Sequence, residues 1–444
     1  MKATYYSLAA GLLFFTACKP TIEGDSPSKG NADFSRYVAI GNSLTAGYAD
    51  GSLYKSGQEN SYPAMLAEKF KLVGGGDFKQ PLLPGNAGWP GPKRVLSVNP
   101  ACDGTTSLGP SLYSGTFDTA GSSTNISSQG PFNNLGVPGI RCVDYTIAGY
   151  AAIAQAIGGV GYAARMYPSP TTDRPIDVAA KSNATFFTMW LGSNDVLGYA
   201  LGGGEGNGTG GTLPSDISQV AAFEASYRAV ADAMTANGAK GVLLNIPDVT
   251  TIPYFTTIPR NGLNLTRQGQ VDSLNTAYAP LGISFSLGQN YFIIQDLAAP
   301  GGLRPIKEGE YLLLTTPQDS LKCRGWGSIK PIPKRYVLDA AEVSNVQTAT
   351  TTFNGIIARV ASEKKLPLVD ANAYLKTLQS GIKFNGLSFG PTFVTGGAFS
   401  LDGVHLTPRG YALVANEVIR MINNFYGSNI PQVDITRYNG VLFP

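Results

Sequence analysis

The sequence predicts an α/β protein built on a mainly parallel sheet. Short apolar runs of strand length occur at residues 37–40 (YVAI), 184–191 (ATFFTMWL) and 241–246 (GVLLNI), and such runs are typical of strands buried on both faces of a parallel sheet. Segments with helical periodicity separate them. Hydrophobic residues make up 43% of the chain and charged residues 14%, which allows a large core. This alternation predicts helices on both faces of the sheet.

The first strand and helix lie near the amino terminus. Residues 37–40 form a strand that ends at Gly41, and residues 62–70 form a helix with Pro63 in its first turn. Residues 74–130 are rich in Gly, Pro, Ser, Thr and Asn and show little periodicity. They predict a long surface excursion between the first helix and the next strand.

The second half of the chain repeats the same order. A helix is predicted to open at Pro214, because apolar residues then recur at helical spacing, and residues 241–246 form the following strand. Residues 348–365 predict another helix and residues 366–369 another strand. The last helix is predicted over residues 408–426.

The amino-terminal segment has the pattern of an export signal. Residues 1–17 contain Lys2, an apolar run and small residues just before Cys18. The run is too short to span a membrane, which takes about 20 apolar residues. Phe-Thr-Ala-Cys18 resembles the lipobox of bacterial lipoproteins, which implies a lipid on Cys18 and a polar tether over residues 18–33. The alternative is an ordinary secretory signal followed by a spare cysteine.

Several partner classes are excluded by composition. The chain has 33 Lys and Arg against 30 Asp and Glu, so we expect no nucleic-acid partner. Its single histidine excludes a histidine-based zinc cluster. The one G-x-G-x-x-G match, at Gly206, Gly208 and Gly211, neither follows a strand nor opens a helix, so it predicts a loop. We therefore expect neither a metal nor a cofactor.

Three cysteines remain after Cys18, in an exported chain where disulfides can persist. One pair and one free thiol is the simplest outcome. We favour Cys102 with Cys142, because both flank the same loop-rich region. Three pairings are possible among Cys102, Cys142 and Cys323, and the sequence does not choose between them.

A nucleophile, a base and an acid can be assigned from local sequence. His405 follows Asp402 by three residues on a loop before the last helix, which suits a general base with an orienting acid. Ser43, in Gly41-Asn-Ser-Leu44, lies where the first strand gives way to a helix, and its hydroxyl can be exposed there. Taken separately, the histidine could cap a turn and the serine could cap a helix.

Two further segments offer donors for a developing oxyanion. Gly136, in Asn133-Asn-Leu-Gly-Val-Pro-Gly139, can present its backbone N–H, because glycine permits close approach. Asn194 follows the strand at residues 184–191 and can present its side-chain amide. Each segment alone could be a plain turn.

Together these four blocks resemble, in the family's order, those of the SGNH or GDSL hydrolase superfamily. The resemblance implies a flavodoxin-like three-layer α/β/α sandwich. It implies a Ser-His-Asp triad of Ser43, His405 and Asp402. It also implies an oxyanion hole formed by the N–H groups of Ser43 and Gly136 and the amide of Asn194. Asn42 departs from the family's usual Asp, which is not the triad acid.

The chain is about twice as long as compact members of the superfamily. We expect the hydrolase domain at residues 34–427 and a carboxy-terminal tail at 428–444. The excess length is expected in insertions near residues 74–130, 198–213 and 255–335, which would form loops over the strand ends.

The expected function is that of a serine esterase or acylhydrolase that cleaves acyl or acetyl esters through an acyl-enzyme. Lipids and acetylated glycans are both possible substrates, so a carbohydrate O-acetylesterase is one alternative. A non-catalytic glycan- or lipid-binding surface lipoprotein is another. The lipobox implies a bacterial envelope location with a membrane anchor, and Lys19 is compatible with the outer membrane.

Overall fold

The computed structural model describes residues 26–156 and 161–443. The predicted signal peptide, residues 1–17, and Cys18 lie outside the described residues, as does the start of the predicted tether. The strands among the described residues are, in chain order, β1 Tyr37–Gly41, β2 Arg94–Pro100, β3 Thr106–Leu112, β4 Asn134–Gly136, β5 Phe186–Trp190, β6 Lys240–Leu244, β7 Leu263–Leu265, β8 Gly288–Asn290, β9 Ile293–Gln295, β10 Leu303–Pro305, β11 Tyr311–Leu312, β12 Val337–Leu338, β13 Leu368–Val369, β14 Ile382–Phe384 and β15 Leu387–Phe389.

The α-helices of the same part of the chain are α1 Ser43–Ala46, α2 Lys55–Glu59, α3 Tyr62–Lys71, α4 Tyr150–Ala156, α5 Tyr162–Met166, α6 Pro175–Lys181, α7 Asn194–Leu201, α8 Val220–Thr235, α9 Pro253–Thr256, α10 Gln268–Tyr278, α11 Gln318–Cys323, α12 Ala340–Lys364, α13 Ala371–Thr377 and α14 Pro408–Tyr426.

A parallel sheet of five strands forms the centre of the molecule. Its order is β13-β6-β5-β1-β4, and every neighbouring pair is parallel. Tyr37 lies opposite Phe186, and Phe186 lies opposite Lys240. The four strands predicted from apolar runs are all present, because runs of this length have no polar face to expose and are stable only inside a sheet. The predicted α/β class is confirmed.

Helices enclose this sheet as two layers. On one side the Phe186 ring contacts Phe70 of α3 at 5.8 Å and Tyr426 of α14 at 5.7 Å between ring centroids. In the other layer α8 packs on α12, where Phe223 stacks on Phe353 at 4.1 Å. The predicted three-layer α/β/α sandwich is therefore the fold of this chain.

Two helix boundaries differ from the sequence prediction. Helix α8 begins at Val220 instead of Pro214, because the carboxylate of Asp216 accepts N–H groups from the preceding loop and holds a turn there. Helix α12 begins at Ala340, well before residue 348. Asp339 caps it by accepting the N–H of Glu342, and the carboxylate of Glu342 accepts the N–H of Asp339, which forms a capping box.

The predicted insertions contain regular structure of their own. Strands β2 and β3 form an antiparallel hairpin within residues 74–130. Residues 255–335 carry the short antiparallel pairs β7–β8 and β9–β10, helices α10 and α11, and two small hydrophobic cores. These strands are too short, and their apolar residues too few, to stand out against the surrounding Gly and Pro.

The disulfide joins Cys102 to Cys323, with a sequence separation of 221 residues. The predicted pairing of Cys102 with Cys142 is wrong. Cys142 is a buried free cysteine in the main core, while Cys102 lies in the turn between β2 and β3, at the surface. The bond thus links the hairpin to the insertion that contains α11.

The described end of the predicted tether is bound to the rest of the chain. Ser28 and Asn429 exchange two backbone hydrogen bonds, and the Asn31 N–H donates to the carbonyl of Tyr426 at 2.9 Å. In the part of the chain that the structure covers, no helix is both long and apolar enough to cross a membrane.

Candidate active site

Ser43 is the first residue of α1, directly after β1. The side chain of Asn42 caps this short helix by accepting the Leu44 N–H at 3.1 Å, so Asn fills the role for which the family more often has Asp. Gly41 is needed for the tight turn, because a Cβ there would lie 2.0 Å from Oγ1 of Thr45. Ser43 therefore sits at the carboxyl edge of the sheet, where α/β proteins place their sites.

The three predicted triad residues form one chain of hydrogen bonds. Nε2 of His405 lies 2.8 Å from Oγ of Ser43, and Nδ1 of His405 lies 2.7 Å from Oδ2 of Asp402. Both distances are within the range needed for proton transfer between a nucleophile, a base and its orienting acid. The sequence thus predicted which side chains the fold brings together.

The carboxylate of Asp402 is held by several donors besides the imidazole. Oδ1 accepts the N–H groups of Val404 and His405, both at 2.8 Å, and Oδ2 accepts the N–H of Gly51 at 2.9 Å. Burial alone would raise the pKa of Asp402, but the charge and hydrogen bonds of His405 and the backbone donors hold this pKa well below its usual value. Asp402 is therefore ionised and can stabilise an imidazolium.

Gly136 does not present a free N–H, so the expectation that it is an oxyanion donor is wrong. Its N–H donates to Oδ1 of Asn134 at 3.0 Å, and the residue lies inside β4, opposite Gly41. A Cβ at Gly136 would be 2.4 Å from the backbone N of Ala46. This glycine lets β4 approach α1 closely, which is a packing role.

Gly139, in the same segment, fits the donor role better. Its φ is +85°, a Cβ there would meet nothing within 4 Å, and its N–H donates to no acceptor among the described residues. The carbonyl of the next residue, Ile140, accepts the side-chain amide of Asn194 at 2.9 Å. This hydrogen bond holds the loop that contains Gly139 against Asn194. The sequence signal that could have identified Gly139 is that it is the second glycine of Asn134-Leu-Gly-Val-Pro-Gly139.

Asn194 and Asp195 together fix this loop. Asn194 begins α7 after β5, and one N–H of its amide is used on Ile140, which leaves the other. The fully buried carboxylate of Asp195 accepts the N–H of Cys142 at 2.6 Å. Burial raises the pKa of Asp195 to about 7, although this hydrogen bond opposes the rise. Sequence reasoning missed Asp195, although it is the last residue of Gly-Ser-Asn-Asp.

A narrow apolar cavity opens beside the triad. Its volume is about 40 Å³, which is room for about three water molecules. The ring of Tyr48 lies on another side of the imidazole, 4.6 Å from the His405 ring centroid. The apolar residues that line the cavity include Leu44, Leu197, Val249, Ile252, Leu375, Phe399 and Val404.

The described residues contain no group of three or more His, Cys, Asp or Glu that could hold a metal ion. A hydrogen-bonded acid, base and hydroxyl at the carboxyl ends of a parallel sheet, beside an apolar cavity, is the arrangement of α/β hydrolases that use a serine nucleophile. The particular family follows from the sequence match: a model of GDSL-like lipases and acylhydrolases matches residues 37–418, and the chain belongs to that family. The protein is accordingly a hydrolase of ester bonds.

Three solved structures are similar to this chain at low sequence identity. A GDSL-like lipase candidate from Parabacteroides merdae is 10% identical over 89% of this chain and 99% of its own, with a TM-score of 0.35. A lipase/acylhydrolase from Enterococcus faecalis is 11% identical over 89% and 98%, with a TM-score of 0.33. An extracellular lipase from Streptomyces rimosus is 13% identical over 87% and 97%, also with a TM-score of 0.33. No significant match was found among curated proteins.

Proposed function

We propose that this protein is a serine esterase in which Ser43 forms an acyl-enzyme. The observation that carries the proposal is the unbroken series of hydrogen bonds from Asp402 through His405 to Ser43. Oγ of Ser43 attacks the ester carbonyl and Nε2 of His405 takes its proton. As the bond to the alcohol breaks, Nε2 gives that proton to the leaving oxygen. Water then attacks the acyl group, again with His405 as base, and Ser43 is restored.

The oxyanion of each tetrahedral intermediate needs donors that are already in place. We propose the N–H of Ser43 at the start of α1, the N–H of Gly139 and the remaining amide N–H of Asn194. In support, the side-chain amide of Asn194 donates to the carbonyl of Ile140 in the Gly139 loop, and the carboxylate of Asp195 accepts the N–H of Cys142 in the same segment. Loss of one such donor typically costs about 3–4 kcal/mol in the barrier.

The cavity beside Ser43 favours esters of short acyl groups. With a volume of about 40 Å³ it suits an acetyl or similarly small group better than a long chain. Acetyl esters, which include acetylated glycans, therefore fit this cavity better than esters of long-chain fatty acids. A carbohydrate O-acetylesterase is the specific form of the proposal that this observation favours.

Hydrolysis of p-nitrophenyl esters of increasing chain length tests the proposal. The protein beginning at Lys19 should prefer acetate and butyrate, and Ser43→Ala and His405→Ala should both abolish turnover. An unmutated protein that is inactive on every ester, while Ser43→Ala still binds envelope glycans or lipids equally well, would instead support a non-catalytic binding module.

We also propose that the mature protein is anchored in the bacterial outer membrane through a lipid on Cys18. Residues 1–17 would be removed. Residues 34–427 would form the hydrolase unit, and Ile430, Val433 and Ile435 of the tail at 428–444 are buried against it. The Phe-Thr-Ala-Cys18 pattern supports this. Cys18→Ser should move the protein from the membrane to the soluble fraction and abolish incorporation of a labelled fatty acid. An unchanged membrane fraction would contradict the anchor.

A further inference from the structure

A tight turn at Asp50 and Gly51, shortly after α1, contacts the loop that carries the acid. The Gly51 N–H donates to Oδ2 of Asp402 at 2.9 Å, the same oxygen that accepts Nδ1 of His405 at 2.7 Å. The Asp50 N–H donates to the hydroxyl of Ser400 at 2.9 Å, and that hydroxyl donates to Oδ1 of Asp402 at 3.1 Å. The turn thus donates directly to Oδ2 of Asp402, and it holds the Ser400 hydroxyl that donates to Oδ1.

The side chain of Asp50 completes the connection. Its Oδ1 accepts the N–H of Leu401 at 3.0 Å, and its Oδ2 accepts the hydroxyl of Tyr54 at 2.7 Å. One oxygen is therefore bonded to the acid loop and the other to the segment that follows Ser43. Burial raises the pKa of Asp50, although the Leu401 N–H and the Tyr54 hydroxyl oppose the rise.

Asp50 occupies an unusual backbone conformation. Its φ is +56°, in the left-handed region, which Asp and Asn tolerate better than most residues other than glycine. The carbonyl of Asp50 accepts the Arg94 N–H at 2.8 Å, which ties the same turn to the β2–β3 hairpin. Hydrogen bonds at both the N–H and the carbonyl of Asp50 thus hold this backbone conformation. In this conformation the carboxylate of Asp50 points toward the N–H of Leu401.

We propose that Asp50 is a positioning residue of the active site, which holds the loop of Ser400 to Asp402 against the segment that carries Ser43. The nucleophile and the acid come from opposite ends of the chain, and a triad must be held to within about 0.5 Å to work. By bonding Leu401, Asp50 sets the place from which Asp402 orients His405. The inference rests on the proposed function, because only a catalytic His405 needs this placement for turnover.

Two substitutions remove different parts of the contact without straining the turn. Asp50→Gly removes the carboxylate, and glycine accepts the positive φ at no steric cost. Asp50→Asn keeps the shape, tolerates the same φ and retains an oxygen for the Leu401 N–H. Asn416→Ala is the matched control, because Asn416 makes two buried hydrogen bonds to the backbone of Val433, away from the triad.

The experiment uses the full chain, purified in detergent, with p-nitrophenyl acetate. Asp50→Gly should lower kcat by about 10- to 100-fold, because His405 is then misplaced for proton transfer. KM should stay within about twofold of the original, because Asp50 does not line the cavity beside Ser43. Asp50→Asn should recover most of kcat. Asn416→Ala should keep it within about twofold at temperatures below its unfolding transition.

His405 is the single histidine in the sequence, so its ring gives an unambiguous NMR signal. The downfield proton on Nδ1, bonded to Asp402, should shift or broaden in Asp50→Gly and stay unchanged in Asn416→Ala. Wild-type kcat and an unchanged imidazole signal in Asp50→Gly would overturn the inference, as would equal losses of kcat in the Gly and Asn variants. If the unmutated protein is inactive on every ester, the proposed function fails, and the imidazole signal still decides whether Asp50 positions the acid.

Discussion

Nε2 of His405 lies 2.8 Å from Oγ of Ser43, although 362 residues separate the two in the chain. The serine is placed by β1, an internal strand of the sheet, and the histidine by the loop before α14, which packs on α3. The contact is thus a product of the whole sandwich. A substitution can therefore lower activity either by weakening the fold or by changing the site itself.

Asn194→Ala should lower kcat by about 10²- to 10³-fold with little change in KM, because the amide acts on charge that exists only in the transition state. Steady-state kinetics on a short ester measures this. Asn423→Ala is the matched control, since its amide also bonds a backbone carbonyl, that of Ile430 at 3.0 Å, but far from Ser43. Equal losses in the two variants would contradict an oxyanion role for Asn194.

Leu375→Ala should shift the preference toward longer acyl chains, because Leu375 lines the apolar cavity on α13. Each methylene group newly accommodated is worth about 0.8 kcal/mol, or about fourfold in kcat/KM. The ratio of kcat/KM for hexanoate over acetate measures the shift. Leu201→Ala, a partly buried leucine outside the cavity lining, should leave the ratio unchanged. If both variants leave it unchanged, the cavity does not hold the acyl group.

Asp402→Asn should make the protein's stability less sensitive to acid. The folded-state pKa of Asp402 is depressed below its unfolded value, so the ionised carboxylate stabilises the fold above about pH 4. That contribution is lost as the pH falls further below about 4, and the variant has none to lose. Thermal unfolding from about pH 2 to pH 7 measures it. If Tm falls equally in the unmutated protein and in Asp402→Asn on acidification, the pKa of Asp402 is not depressed in the folded state.

Thiol counting tests the disulfide. For the protein beginning at Lys19, we expect no thiol to react with a chromogenic disulfide under native conditions, because Cys142 is buried and Cys102 is bonded to Cys323. One thiol should react in denaturant without reductant, and none after Cys142→Ser. Three reactive thiols in denaturant would mean that the bond is absent, and two reactive thiols in the Cys142→Ser variant would mean that Cys142 takes part in the bond.

The sequence predicted most of the central sheet because its strands are continuous apolar runs. Strand β4 was missed, since it has only three residues, Asn134–Gly136, and reads as part of a turn. That omission explains the error at Gly136. The N–H of Gly136 is bonded to the side chain of Asn134 in the same strand, whereas the N–H of Gly139, beyond the strand end, has no acceptor among the described residues.

The triad could be predicted because nucleophile, base and acid stand in short motifs. The residues that support it could not. Asp50 is a single polar residue with no pattern around it, and its role depends on a positive φ and on Leu401, which lies at the other end of the chain. The pairing of Cys102 with Cys323 likewise depends on how two insertions pack, which periodicity does not record.

Labelling with a fluorophosphonate tests whether Ser43 is the nucleophile. The activated hydroxyl should displace fluoride and form one covalent phosphonyl adduct, which intact mass and peptide mapping would locate. We predict a single adduct on Ser43, absent from Ser43→Ala and formed far more slowly by His405→Ala. If the protein hydrolyses esters but stays unlabelled, or carries the adduct on another residue, Ser43 is not the nucleophile.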